Sequence, residues 1–240
     1  MKTFVIILFL FFSLISLSQK KKSTVEYNLI IGEDMSMKNQ VIAEYYKSAQ
    51  NNAKYLTYVL AFDDTKMKFE LKQSMNVDDT NLDFAKAFSG CNGVYYYSKN
   101  APYFYNKPKN SEFTKSIVKY KSFNDWKLTN ETKLIGGFLC YKATGFQIIK
   151  NIKGIFKNPI TAWYCPKIPK PFGPIGYGNL PGIILELQIK EIVYGATKIS
   201  LNDDGIFQLD LPSQENIISE DELNARIRTR HDDYIKSKDN

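Results

Sequence analysis

The sequence predicts an α+β fold: a mostly antiparallel, strongly curved sheet or half-barrel with two or three peripheral helices. Three observations carry that expectation. Short β-rich segments recur along the chain, several alternating polar and apolar residues. Most connections between them are too short for the crossovers that parallel strands need. Only two or three stretches suit helices, which places helices to one side of a sheet rather than between its strands.

Thr24–Ile31 reads as the first strand and Asn39–Lys54 as a helix, with Val41, Ala43, Tyr45 and Ala49 as its partial apolar face. Tyr55–Phe62 and Lys66–Leu71 flank the turn Asp63-Asp64-Thr65 and form a hairpin with one wet face. Asp78–Phe88 suits a short helix. Val94–Ser98 and Pro102–Tyr105 form a second hairpin around Lys99-Asn100-Ala101, and Phe113–Phe123 is a further strand. Gly137–Ile149 is a long strand that turns at Asn151–Gly154 and returns as Ile160–Cys165. Residues 166–182 hold five of the nine prolines and four of the thirteen glycines and read as an irregular loop. Ile183–Lys190 and Val193–Leu201 are strands, and Asn202-Asp203-Asp204-Gly205 reads as a hairpin turn leading to Ile206–Leu211. Ser219, with Glu222 three residues on, has the spacing of a capping box and starts a helix. Its few apolar residues, Leu223, Ile227 and Ile235, place it on the surface.

Hydrophobic residues make up 44% and charged residues 24% of the 240, a globular composition that excludes disordered, collagen-like and polytopic membrane proteins. At the N-terminus, Lys2 precedes an unbroken apolar run, Phe4–Phe12, and Ser16 and Ser18 stand at the −3 and −1 positions of a signal-peptidase site. Residues 1–18 are therefore expected to be a cleaved secretory signal, leaving residues 19–240 as one domain. Lys20-Lys21-Lys22 is expected to be a solvated leader. No later stretch approaches the roughly 18 apolar residues of a spanning helix, so no stable membrane span is expected after cleavage. The chain is expected to be exported, with the periplasm favoured over the exterior because it ends in a charged helix and not a β-rich sorting domain. The net charge is +7. The lysines are scattered without base-stacking aromatic spacing, which argues against nucleic-acid binding.

The chemistry is bounded by histidine. The only one, His231, falls in the charged C-terminal helix, so serine and cysteine triads have no base and HExxH zinc sites are excluded. No metal or other cofactor is expected. The pairs Asp63-Asp64, Asp78-Asp79 and Asp203-Asp204 fall at turns or a helix start, where Asp bonds the local backbone. No catalytic residue is singled out. Cys91, Cys140 and Cys165 allow three pairings. Cys140–Cys165 is the preferred disulfide candidate because both lie in segments that read as neighbouring strands; the alternative is a set of small buried residues.

The stretch Ala162-Trp163-Tyr164, then Phe172-Gly173-Pro174, then Asn179-Leu180-Pro181-Gly182-Ile183-Ile184 resembles the GLPGLI family of exported Bacteroidota proteins. Asn179 stands at the hexapeptide's first glycine and Ile183 at its second leucine. Trp126 and the block Lys133–Ala143 resemble the family's other marked region. The family has no assigned activity, so the resemblance implies envelope residence, not a reaction. The order of β segments is similar to that of the curved half-barrels of periplasmic lipoprotein carriers, an analogy of fold alone.

Pro181-Gly182 is expected to make a sharp entry into the next strand, with Gly182 free to take φ > 0 and Leu180 and Ile183 anchoring the two sides. Along that strand Ile183, Leu185, Leu187 and Ile189 point one way and Ile184, Glu186, Gln188 and Lys190 the other. Two readings stand: a stiff turn seating a core strand, or a lip over a ligand cleft carrying Trp163, Phe172, Leu180 and Glu186. Aromatic residues reach 14%, and Tyr95-Tyr96-Tyr97 with Tyr103-Phe104-Tyr105 fall in one hairpin. Tyr95 and Tyr97 share a face, either as core or as the wall of an aromatic cleft. The expected function is that of a non-enzymatic binding or accessory protein of the bacterial envelope. Its partner would be an envelope protein, a peptide or a lipid. The alternative is an interaction module of a periplasmic or surface assembly.

Overall fold

The computed structural model describes residues 21–34, 39–72, 82–99, 101–109, 116–151, 154–206 and 216–238. The signal segment, residues 78–81, Asn100, the start of the Phe113–Phe123 strand and residues 207–211 lie outside the described residues. No described helix is long and apolar enough to cross a membrane.

The architecture is α+β. Twelve strands among the described residues form one sheet: β1 (Lys21–Ile31), β2 (Thr57–Phe62), β3 (Lys66–Leu71), β4 (Gly93–Ser98), β5 (Tyr103–Pro108), β6 (Ile117–Lys121), β7 (Lys127–Ile135), β8 (Phe138–Asn151), β9 (Gly154–Cys165), β10 (Ile183–Ile189), β11 (Ile192–Ile206) and β12 (Ile217–Ser219). Their order is β12-β6-β5-β4-β3-β2-β1-β11-β10-β9-β8-β7. Every pairing is antiparallel except β12 with β6. The sheet is open, with β12 and β7 as its edges. Three α-helices among the described residues accompany it: α1 (Gln40–Ala53), α2 (Asp83–Phe88) and α3 (Glu220–Lys238).

Alternation explains the inner face. In β1 the residues Val25, Tyr27, Leu29 and Ile31 are buried while those between them are not. Tyr58, Leu60, Phe62, Met67, Phe69, Tyr97, Ala162, Leu187 and Tyr194 continue that buried face across the sheet. Tyr27 Oη donates to the carbonyl of Ile184 at 2.6 Å and Tyr194 Oη to that of Ser89 at 2.8 Å, so these two fully buried rings keep a polar partner, whereas the buried Tyr58 hydroxyl has none among the described residues. Helices α1 and α2 cover one end of this face. The α1 face differs from the expected one: Tyr46, Ala49 and Ala53 are buried, whereas Val41 and Tyr45 are exposed. Tyr46, Ala49 and Ala53 follow one another at spacings of three and four and so share the covered side, while Tyr45, at its margin, stacks on Phe84 of α2. Asn39 caps α1, its Oδ1 accepting from Ile42 N at 3.1 Å, and Ser219 Oγ caps α3 by accepting from Glu222 N at 3.1 Å. No α3 residue is buried, as expected.

Three local expectations need correction, and one strand lies where the sequence predicted no element. Lys21 and Lys22 are not leader; they open β1 opposite Ile206 and Asp203. Residues 202–205 are not a hairpin turn, because β11 runs through them to Ile206. The register shifts there, and Asn202 (φ 58°) absorbs the irregularity in a left-handed conformation that Asn tolerates. Lys127–Ile135 is a strand although it lacks alternation, since an edge strand has little to bury. Gly182 does not have positive φ; that conformation falls at Asn179 (φ 61°). The Asp63-Asp64-Thr65 turn holds as expected, with Asp63 Oδ1 accepting from Thr65 N and Lys66 N at 2.6 and 2.7 Å.

Candidate functional site

The Pro-rich segment 166–182 does not loop into solvent. It folds back over the inner face, with Phe172 paired to Gly178 as an isolated bridge and fully buried against Phe62 and Tyr97. Five prolines fix φ along the segment, so little backbone entropy remains to be lost on docking it. Gly182 is required by a close approach. A Cβ there would stand 2.1 Å from the carbonyl oxygen of Cys165 and 2.4 Å from its carbonyl carbon. Leu180 and Ile183, both buried, anchor the two sides of the turn as expected.

Asn179 is the hub of this turn. Its Oδ1 accepts from Tyr97 Oη, and its Nδ2 donates to Asn124 Oδ1 at 2.6 Å and the Phe123 carbonyl at 3.2 Å. Trp126 Nε1 donates to the Gly178 carbonyl at 2.9 Å. Glycine at position 179 would satisfy the backbone but make none of these side-chain bonds. Beside the hub lies a first, open cleft of about 550 Å³, whose walls include Tyr97, Lys99, Asn124, Pro171, Leu180 and Pro181.

A second cleft of about 530 Å³ is better defined chemically. Tyr95, Phe104 and Tyr120 come from β4, β5 and β6; Phe146 and Gln147 come from β8 on the far side of the sheet order; Tyr177 comes from the Pro-rich segment; and Glu220 opens α3. The two wings meet through Phe123, whose ring packs where a Cβ at Gly145 would stand 2.7 Å away. The rings are ordered among themselves: Phe104 and Tyr120 stack at 5.2 Å, and Phe123 lies 5.8 Å from Tyr177. Interleaved with them are the amides of Asn92, Asn106, Asn124 and Gln147. Asn106 Nδ2 donates to Asn92 Oδ1 at 2.5 Å, while its own buried Oδ1, lying against Gly93, has no hydrogen-bond partner among the described residues.

Burial sets the electrostatics. It pushes the Tyr120 hydroxyl up to about 12, with the Glu220 charge adding to the shift. The hydroxyls of Tyr95 and Tyr177 are raised by burial as well. The Glu220 carboxyl is raised chiefly by burial and secondarily by Asp221. The tyrosines therefore act as neutral hydrogen-bonding tips at neutral pH, which suits binding.

The residues singled out from sequence fall in four places. Tyr97 and Leu180 line the first cleft and Tyr95 the second. Phe172 is core. Trp163 and Glu186 lie directly across from each other on the outer face, because their neighbours Ala162 and Leu187 point inward. There Lys133 Nζ sits 4.5 Å above the Trp163 ring and 2.6 Å from Glu186 Oε1. The residues that complete the second cleft were not legible, since no spacing rule joins positions 120, 147, 177 and 220. Only the density of aromatic residues pointed to it. Cys140 and Cys165 are free, fully buried thiols on adjacent strands, one step past the Tyr141–Tyr164 register pair. Burial, and then the neighbouring Cys165, pushes the Cys140 thiol up to about 12.

Fold and site together define an α+β protein with an open, mostly antiparallel sheet and an aromatic, amide-lined cleft between its wings. Residues 150–186, spanning β9, the Pro-rich segment and the start of β10, match a family described as a protein of unknown function (Porph_ging). No curated protein matches the chain. Two solved structures of PNGF-II, in different space groups, are similar at a TM-score of 0.46. One is 15% identical over 83% of this chain and 32% of its own; the other is 16% identical over 85% and 31%. The chain thus spans about a third of the length of that protein.

Proposed function

We propose that the protein is an exported, non-enzymatic binding protein of the bacterial envelope, periplasmic and GLPGLI-like, that holds an extended ligand in the cleft between β4–β6 and β8. On this reading the sheet curls as a half-barrel around the Pro-rich segment. The observation that carries the proposal is the cleft lining: rings from both wings interleaved with four amides. Amide groups set among rings favour a ligand with its own donors and acceptors, such as a segment of an envelope protein. Three of these amides already bond within the protein, but Asn106 Oδ1 has no partner among the described residues, and a bare acyl chain would leave it unpaired at a cost of about 1–3 kcal/mol. The single histidine supports binding over catalysis, since His231 is exposed on α3 beside Asp232 and does not line the cleft.

The test is mass spectrometry of the protein purified natively from envelope fractions, with aqueous and organic extracts compared before and after denaturation. A co-purifying peptide that is lost in Tyr120→Ala supports the reading. A co-purifying lipid replaces the peptide with an acyl ligand, and empty wild-type protein refutes the proposal. A second reading, an interaction module that pairs by a sheet edge, draws on β7, whose outer side has no partner strand among the described residues. Crosslinks from β7 to an envelope protein, with the cleft empty, would favour it.

A further inference from the structure

The β8–β9 hairpin is longer than the sheet that holds it. β7 pairs with β8 only as far as Thr144, and β10 pairs with β9 only from Ile160 onward. Between those points β8 and β9 pair with each other alone, from Gly145–Ile160 to Asn151–Gly154. This two-stranded ribbon carries large apolar side chains that nothing described covers. Ile155 is 72% exposed, Ile148 53% and Phe156 43%. By register, Phe146, Ile148 and Ile155 share one face of the ribbon, and Ile149 and Phe156 the other. Lys157 Nζ lies 4.1 Å over the Phe146 ring. From residue 144 to residue 160 the sequence has three lysines and no acidic residue.

We propose that this ribbon docks the protein on an anionic phospholipid surface. Two features select that occupant over a protein groove. The exposed apolar residues stand on both faces, and a groove covers one face whereas a membrane interface surrounds a tip. The charge is uniformly positive, which complements anionic headgroups and is not arranged to match a mixed-charge protein surface. The outer backbone edges of the ribbon have no strand partner among the described residues, so they must keep water or headgroup contacts. Insertion is therefore confined to the interfacial layer and does not reach the hydrocarbon core. Phe146 and Ile148 also line the aromatic cleft, but Ile155, Phe156 and Lys157, the residues varied in the test, do not, so this inference stands or falls separately from the ligand-binding proposal.

The experiment is co-sedimentation of the full protein, as recovered from envelope fractions, with vesicles of phosphatidylcholine alone or mixed equally with phosphatidylglycerol. Wild type should bind the mixed vesicles roughly tenfold more than the neutral ones. Ile155→Ser combined with Phe156→Ser should lower that binding roughly tenfold, with the urea midpoint unchanged because both residues are exposed. Lys157→Glu should lower it at least about fivefold, and this variant keeps the test decisive if the double variant folds poorly. Equal binding to both vesicle types overturns the proposal. So does full binding by either variant.

Discussion

Replacing Gly182 should be among the most damaging single changes in the chain, for a reason specific to this turn. The methyl group that Gly182→Ala introduces would fall 2.1 Å from Cys165 O, 2.4 Å from Cys165 C and 2.7 Å from Pro166 N, all backbone atoms that no rotamer change can clear. Relief requires β9 and β10 to part by about 1 Å, since ordinary carbon–oxygen contact begins above about 3 Å. That movement acts where Ile183 pairs with Cys165, and it strains the bond from Ile183 N to Ile168 O at 3.0 Å. Overpacking costs about 1–3 kcal/mol, and one weakened backbone bond adds about 1 kcal/mol. The expected loss is about 2–4 kcal/mol, a large part of a typical domain's roughly 5–15 kcal/mol. Urea unfolding followed by tyrosine fluorescence and far-UV circular dichroism measures it. Gly182→Asn provides the discriminating comparison. Asn tolerates positive φ, so a conformational requirement would spare it relative to Ala, whereas a steric one makes both equally damaging. A loss below about 1 kcal/mol for Gly182→Ala, or a clearly milder effect for Asn, would refute the close-approach account.

Glu186→Gln should cost under about 1 kcal/mol by urea unfolding, because the Lys133 pair is partly solvated and solvent screening weakens it. Phe172→Ala should cost about 3–5 kcal/mol, read as a drop in Tm, because the ring is fully buried against Phe62 and Tyr97. Mild oxidation followed by peptide mapping should join Cys140 to Cys165 and leave Cys91 free, since directly opposed strand residues have Cα atoms about 4.5–5.5 Å apart; a bridge to Cys91 would contradict the register. Stability should be full below pH 9 and fall as pH rises toward 12. The fold raises Cys140 from 9.0 to about 12 and Tyr46 and Tyr120 from 10.0 to about 12, so their protonated forms are the ones favoured. A urea midpoint constant from about pH 8 to about pH 11 would be inconsistent with that linkage.

The sequence by itself determined the α+β class, most strand positions and the inner face of β1, because alternation at period two is a local property that burial reads directly. It also placed the Ser219 cap and the Asp63 turn, whose bonds close within three residues. Tertiary structure decided the rest. The strand Lys127–Ile135 exists because β8 offers it a partner, not because its own pattern demands it. The constraint on Gly182 comes from the carbonyl of Cys165, far back along the chain, and a single chain pattern cannot distinguish that from a turn requirement. The aromatic cleft gathers β4, β5, β6, β8 and the Pro-rich segment, so its membership follows from how the two wings approach through Phe123 and Gly145. Glu186 faces away from the core as the alternation of its strand predicts, but its place directly across from Trp163 on the outer face follows from how β9 and β10 pair. A step of one residue along a strand reverses which side of the sheet a side chain serves, and only the register fixes that step.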